Sequence, residues 1–493
     1  MASEQTRLES IIQKLAELER EARKLDPGRE ERTKLWRSVK DFVECYLQDL
    51  PELPTYVSPD ALKKESFSIL ARFPETGRSM DELLDLFERL VNRPGLKPGA
   101  PGYLAFIPGA GLFTAALGDL LAAITNKYAG IYFAGPGAVR VEKSLVRWMA
   151  GLVGYPQEAD GDLTSGGSIA HLSAIVAARE AAGLDASTLS RAVIYMSEQT
   201  HHSVHKALKI AGLHSCPLRF IPLDSSYRMR PDALEEQIRS DRRMGLRPFF
   251  LVASAGTTDS GAVDPLAELA SVAETYGLWF HVDAAYGGAF ALCEEGKKRL
   301  KGIERSHSLI LDPHKGFFLP FGTGAVLVRE GKLLEQAFAY RAPYLEDGSY
   351  LADQYVASPA DLSPELSRHF RGLRFWLALQ YHGVALFRAA LEEKLWLARY
   401  AYEKLKDHPG FELGPPPDLS IFTFRYLPKH RDPESANRKL IETVQKSGAV
   451  FLSSTRINGR TTLRIAVLGF RTHREHIDRA IDLIADTARK LDG

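Results

Sequence analysis

Four short segments carry side chains whose types and spacing could do chemistry. The apolar run Ser308 to Asp312 leads directly into Pro313-His314-Lys315-Gly316. A charged lysine at the end of a buried strand costs several kcal/mol unless it is used. Buried lysines give up their proton more readily and then attack carbonyl carbons, so this position suits a Schiff-base lysine, a solvated loop lysine being the plain alternative. The run Leu278 to Asp283 ends in a carboxylate followed by Ala284-Ala285-Tyr286-Gly287-Gly288. Those small residues would let a flat ligand approach the backbone, while a helix cap or a metal ligand would be the ordinary uses of Asp283. Leu163-Thr164-Ser165-Gly166-Gly167-Ser168 precedes the helical run Ile169 to Ala182. Free N–H groups and the helix dipole there favour an anion such as phosphate, or a simple serine cap. Finally, Ala192 to Met196 leads into Ser197-Glu198-Gln199-Thr200-His201-His202-Ser203, with His205 close behind. Zinc would need Asp or Cys ligands that are not nearby in sequence. An imidazole can instead stack on a ring or move a proton.

An amine for an aldehyde, a carboxylate for a pyridine nitrogen, an anion cradle and a ring-stacking group are together what pyridoxal 5'-phosphate requires. No metal is expected. The glycine loop matches neither GxxxxGK[ST] nor GxGxxG, and no dinucleotide turn opens the first strand-helix unit, which argues against nucleotide chemistry.

The elements that must position these groups follow from periodicity. Strands are expected over Ala192–Met196, Leu218–Leu223, Pro248–Ser254, Leu278–Asp283, Ser308–Asp312 and Gly324–Arg329, with helices such as Asp232–Arg243 and Pro265–Tyr276 between them. This alternation predicts an α/β fold whose mostly parallel sheet is covered on both faces, with ligands at loops after the strand ends. Ahead of it, Leu8, Ile11, Ile12, Leu15 and Leu18, then Leu35, Val39, Phe42, Val43 and Tyr46, mark two amphipathic helices, read as a flap that packs on a partner surface. A further helix is expected near Asp81 to Val91 and a linker over Arg93 to Gly102. A long helix from about Glu365 past Tyr402 leads into a small α/β region with strands Ile421–Tyr426 and Leu463–Val467, a helix near Ala436–Gln445 and a last helix from about His473. The expected division is 1–98 flap and linker, 99–382 large cofactor-binding domain, and 383–493 small C-terminal domain.

With 63 Lys+Arg against 62 Asp+Glu, the net charge of +1 offers no reason to expect nucleic acid or an anionic membrane as partner. A small molecule is expected instead. Cys45, Cys216 and Cys293 lie too far apart to make a disulfide framework or a CxxC-type site. The N-terminus lacks a signal peptide's apolar core and no run of about 18 apolar residues occurs, so a cytoplasmic location is expected.

Taken together, these segments resemble those of the group II pyridoxal-dependent decarboxylases, most closely the members acting on aromatic L-amino acids. The resemblance runs from about Tyr103 to Leu468. It implies the aspartate aminotransferase-like architecture, fold type I, and a homodimer with the active site at the interface. Asp312-Pro313-His314-Lys315 resembles the family's Schiff-base segment, implying that role for Lys315 and cofactor contacts for Asp312 and His314. His281-Val282-Asp283-Ala284-Ala285-Tyr286 resembles the segment that carries the pyridinium partner, which would be Asp283, with Ala285 against the cofactor. The family's stacking histidine falls on His201. Gly167 and Ser168 match its phosphate-loop positions, and Thr258 another cofactor contact. Ala342-Pro343-Tyr344-Leu345 resembles a loop whose tyrosine returns a proton to the substrate carbon after carbon dioxide leaves, so Tyr344 is the expected acid. Arg368 matches a family arginine and is expected to be structural.

The implied reaction is decarboxylation of an L-amino acid, with tryptophan, tyrosine, phenylalanine and dihydroxyphenylalanine the favoured substrates. An aldehyde synthase, a decarboxylase of acidic amino acids and a non-catalytic protein of the same fold are the alternatives. Retention of Tyr344 beside His201, Asp283 and Lys315 argues against the first and last. Relative to the animal aromatic members, Asp312 replaces an asparagine and Gly316-Phe317 a common Trp-Leu. Differences at Gly102-Tyr103 and Tyr132–Gly137 bear on substrate choice.

Overall fold

The computed structural model describes residues 2–58, 73–107, 109–340 and 357–492. The chain divides into two compact units, Met1–Leu96 and Lys97–Gly493. In the first, helices Ala2–Ala22 and Arg29–Asp49 flank Pro27-Gly28. Glu30 and Glu31 in the first turn of the second helix complement its dipole. Helix Met80–Phe87 starts at a capping box in which Ser79 and Glu82 satisfy each other's backbone N–H. Part of the stretch expected as linker is ordered, since β2 (Gly95–Leu96) pairs antiparallel with β1 (Tyr56–Val57).

The second unit is built on a seven-stranded sheet of β3 (Asp160–Thr164), β4 (Ala192–Met196), β5 (Leu218–Phe220), β6 (Arg247–Ser254), β7 (Trp279–Asp283), β8 (Ser308–Leu311) and β9 (Gly324–Val328). Its order is β3-β9-β8-β7-β6-β4-β5. Only β9 is reversed: it pairs antiparallel with β3 and β8, and the remaining pairs are parallel. Six of the strands are almost wholly buried, as near-continuous apolar runs must be when both faces are covered, and only the short edge strand β5 is partly exposed. Alternate residues feed two cores. Val193 and Tyr195 pack on one face, and Ala192, Ile194 and Met196 on the other.

A smaller antiparallel sheet of β10 (Phe411–Leu413), β11 (Ile421–Tyr426), β12 (Ser453–Ile457) and β13 (Arg460–Ala466) has the order β10-β11-β13-β12. Helices Pro433–Lys446 and Arg474–Asp492 cover it through Leu440, Val444, Ile477, Ile481 and Ile484. The long helix Gly372–Lys406 begins seven residues later than periodicity suggests. The residues before it are held by side chains instead of helical hydrogen bonds: Arg371 pairs with Glu365 at 2.7 Å, and Arg368 is drawn into the core. The helix breaks once, at Gly383, whose φ of 72° is left-handed.

Candidate active site

In a parallel sheet the strand ends deliver their loops to one edge, and here those loops surround one cavity of about 420 Å³. β4 runs on to His201, β6 to Gly256-Thr257-Thr258, β7 ends in Asp283, and β8 is followed by Asp312, His314 and Lys315. β3 feeds the loop ahead of helix Gly167–Ala181. Lys315, Asp283, Ala285, His201, Gly167, Ser168, Thr258, Asp312 and His314 all line the cavity. His202 packs its ring on His201 at 4.1 Å and His205 lies 6.1 Å from Phe220, both outside the lining. Tyr344 falls outside the described residues.

The electrostatics are mixed in sign and closely spaced. Lys315 Nζ stands 3.0 Å from Asp312 Oδ2. Asp283 Oδ1 accepts the Ala285 N–H at 3.1 Å, and its Oδ2 faces His171 Nε2 at 3.4 Å. Burial alone would raise the Asp283 carboxyl, but His171, Lys315 and His201 overcome it and hold the group well below the usual carboxylate range. His201 caps helix His202–Ile210 by accepting the Ser203 N–H at Nδ1. Burial pushes its imidazole down to about 4, partly opposed by Asp283, so the ring is neutral at pH 7. Burial also lowers His314, whose Nδ1–H donates to the Thr323 carbonyl at 2.6 Å.

These residues fit pyridoxal phosphate. A lysine amine and an ionised carboxylate face the same cavity, and the N-terminus of a fifteen-residue helix supplies N–H groups for an anion. The cradle has no spare room: a Cβ on Gly167 would lie 3.1 Å from Asp312 Oδ2 and 3.2 Å from Ile310 Cδ1. Gly287 and Gly288 have a different reason from the one their position suggests. They are buried outside the lining: a Cβ on Gly287 would lie 2.0 Å from the Ala255 carbonyl oxygen just after β6, and one on Gly288 2.9 Å from Leu311 Cδ1 of β8, so they let the turn after β7 pack on its neighbours.

Several lining residues escaped sequence reasoning, among them His171, Gln199, Ser203 and Ser254. His171 carried a signal. It lies four residues after Gly167, one helical turn on and on the same face, in an otherwise alanine-rich buried stretch. Arg368 is not in the lining. Its guanidinium is fully buried between Asp162 and Glu142 and also donates to the Leu163 carbonyl at 2.7 Å, so it anchors the strand that feeds the glycine loop.

Residues 61–427 match the model of the pyridoxal-dependent decarboxylase conserved domain. The chain is 33% identical over 454 residues to an aromatic-L-amino-acid decarboxylase of Bacillus atrophaeus, covering 91% of this chain and 93% of the relative. It is 30% identical over 467 residues to a phenylacetaldehyde synthase of Arabidopsis thaliana, covering 92% and 94%. Among solved structures, that of Oryza sativa TDC with PLP and tryptamine superposes with a TM-score of 0.88 at 27% identity, covering 95% of this chain and 99% of that one.

Proposed function

The chain belongs to the pyridoxal-dependent decarboxylase family, and from that premise we propose that it removes the carboxylate of an aromatic L-amino acid to give the amine and carbon dioxide. The observation that carries the reading is the meeting of Lys315, Asp283, His201 and the helix N-terminus at Gly167 in one cavity. Bound there, pyridoxal 5'-phosphate supplies an aldehyde for an amine and a ring that accepts the electron pair freed when carbon dioxide leaves.

This chain's residues do the rest. Lys315 offers its amine from the end of β8, with Asp312 as its counter-charge. The Asp283 carboxylate would accept a hydrogen bond from the ring N–H and so keep the proton on the nitrogen, because a nearby anion favours the protonated form. The neutral His201 ring forms one wall of the ring slot. Gly167, Ser168 and Thr258 hold the phosphate, with Ala285, His314 and Asp312 completing the contacts. Tyr344 delivers a proton to the substrate α-carbon after carbon dioxide departs, and so keeps oxygen from that carbon. The product is therefore the amine, although a phenylacetaldehyde synthase is among the relatives.

The acting form is a homodimer. Helix Phe113–Thr125 leaves Phe113, Leu117, Leu121 and Ile124 exposed along one stripe, which a second copy would cover. We divide the chain functionally into the flap 1–98, the cofactor domain 99–382 and the small domain 383–493, the last beginning where the long helix breaks at Gly383. A cytoplasmic location agrees with three free cysteines, and no helix among the described residues is long and apolar enough to cross a membrane.

The test is mass spectrometry of products after incubating the cofactor-loaded protein with tryptophan, tyrosine, phenylalanine, dihydroxyphenylalanine, histidine, glutamate and aspartate. An amine from an aromatic substrate is expected. An amine from glutamate or aspartate alone would overturn the substrate class, and an aldehyde with ammonia and peroxide would overturn the role of Tyr344.

A further inference from the structure

Behind Asp283 runs a line of buried polar side chains that the reaction above does not use. Trp279 Nε1 stands 2.8 Å from Ser308 Oγ, Ser308 Oγ 2.8 Å from His281 Nδ1, and His281 Nε2 3.0 Å from His171 Nδ1. His171 Nε2 then faces Asp283 Oδ2 at 3.4 Å and has no hydrogen-bond partner among the other described residues. His171 is 1% exposed, and His281 and Ser308 are fully buried, so water does not scramble the order.

The proton positions along this line follow from one group that cannot reverse. An indole N–H only donates, so Ser308 Oγ accepts from Trp279. Among the described side chains, His281 Nδ1 is the acceptor at hand for the single hydroxyl proton of Ser308. That places the His281 proton on Nε2, from which it is donated to His171 Nδ1. His171 in turn carries its own proton on Nε2, aimed at the Asp283 carboxylate. The opposite polarity would give Ser308 Oγ two donors and leave its own proton without a place in the line. It would also need a second proton on His171 for any donation to Asp283.

We propose that Trp279, Ser308 and His281 act as positioning residues that lock His171 in the neutral Nε2–H tautomer, and that His171 so fixed keeps Asp283 an anion oriented toward the cofactor ring nitrogen. This rests on the reading of Asp283 as the partner of that nitrogen. A neutral donor suits the task better than a cation. An imidazolium would compete with the ring proton for the same negative charge, whereas a neutral N–H orients the carboxylate and leaves its charge for the ring. Ala285 N–H donates to Oδ1, and His171 Nε2 stands 3.4 Å from Oδ2, where a proton on that nitrogen would point at the carboxylate. Burial pushes the His281 imidazole down to about 3, so that ring carries a single proton at pH 7.

The test is long-range 1H–15N correlation on protein labelled at histidine, without cofactor and loaded with it, with His171 assigned from the His171→Gln variant. The expected spectrum shows His171 neutral with its proton on Nε2. An Nδ1–H tautomer or an imidazolium at His171 would overturn the proposal. Trp279→Phe frees the Ser308 hydroxyl to turn and removes little volume, so mixed tautomers at His281 and His171 are expected. A tautomer unchanged in that variant would overturn the claim that the indole sets the direction. His171→Gln should weaken pyridoxal phosphate binding by roughly tenfold or more, the scale of a lost hydrogen bond to a charged group, and unchanged binding would overturn the role of His171. Asp283→Asn separates the two levels of argument. If it leaves cofactor binding intact, the reading of Asp283 itself fails. If it abolishes binding while His171 carries its proton on Nδ1, only the present inference fails.

Discussion

Replacing Arg368 by methionine should unfold the large unit early without touching the cavity. The guanidinium is fully buried, with Glu142 Oε2 at 2.8 Å, Asp162 Oδ1 in contact and the Leu163 carbonyl at 2.7 Å. Removing it leaves two buried carboxylates without their ion-pair partner, and breaking such an arrangement from one side costs about 3–5 kcal/mol. For a unit of roughly 400 residues that corresponds to a fall of roughly 4 to 6 °C in Tm. The deficit depends on pH with a definite sign. Burial pushes Glu142 from the ordinary 4.5 up to about 7 even with Arg368 beside it, and without the cation it rises further. A carboxyl raised in the folded state stabilises below its unfolded value and loses that contribution as pH rises through the folded one. The part of the Arg368→Met deficit that comes from Glu142 should therefore be absent below about 7 and grow above it. The triple variant Arg368→Met, Asp162→Asn, Glu142→Gln removes both orphaned charges and should recover most of the loss. Thermal melts of the cofactor-free protein over a pH series provide the assay. A single variant within 1 °C of the parent at every pH, or a triple variant less stable than the single one, would refute the reasoning.

Other expectations concern the site. Lys315→Ala should lose turnover by roughly 10⁴-fold or more, the scale seen when a covalent nucleophile is removed, and borohydride reduction should no longer attach the cofactor to the 308–316 peptide. Tyr344→Phe should divert a substantial share of product from amine to aldehyde, with ammonia and peroxide appearing in step; an unchanged amine yield would remove Tyr344 from the proton step. His201, lowered from 6.5 to about 4, binds its proton in the unfolded chain before the folded one. The stability this contributes is complete above 6.5 and is lost as pH falls toward 4, so Tm should fall over that range in the parent and less in His201→Phe. Parallel curves would contradict the neutral, buried ring.

The residues that line the cavity were legible because they sit where strands end. Lys315 and Asp283 each close an apolar run, and a charge in that position is unusual enough to be noticed in sequence. β4 and β11 were likewise readable residue for residue, their apolar runs being bounded by turn-forming segments. β3 was not. Asp160-Gly161-Asp162-Leu163-Thr164 reads locally as a loop, and becomes a strand by pairing along β9, with Lys143 taking Asp160 at 2.6 Å and Arg368 taking Asp162, partners that, β9 and Arg368 above all, are distant in sequence. The reversal of β9 is a property of the path between strands and leaves no mark on composition. His171 shows its role only once His281 and Ser308, more than a hundred residues on, are placed beside it.

The sheet order also sets a timetable for synthesis. Among the described residues β3 has β9 as its only strand neighbour, so the strand that presents the glycine loop waits for residues 324–328 before it can join the sheet. At about 5–20 residues per second the ribosome needs roughly 10 to 30 s to cover that interval. Throughout it, Lys315 and the loop meant to hold the phosphate are not yet tied into one sheet. Cofactor capture therefore belongs to the nearly finished polypeptide, and a nascent chain stalled before β9 would carry its reactive lysine with no anchored seat for the molecule that occupies it.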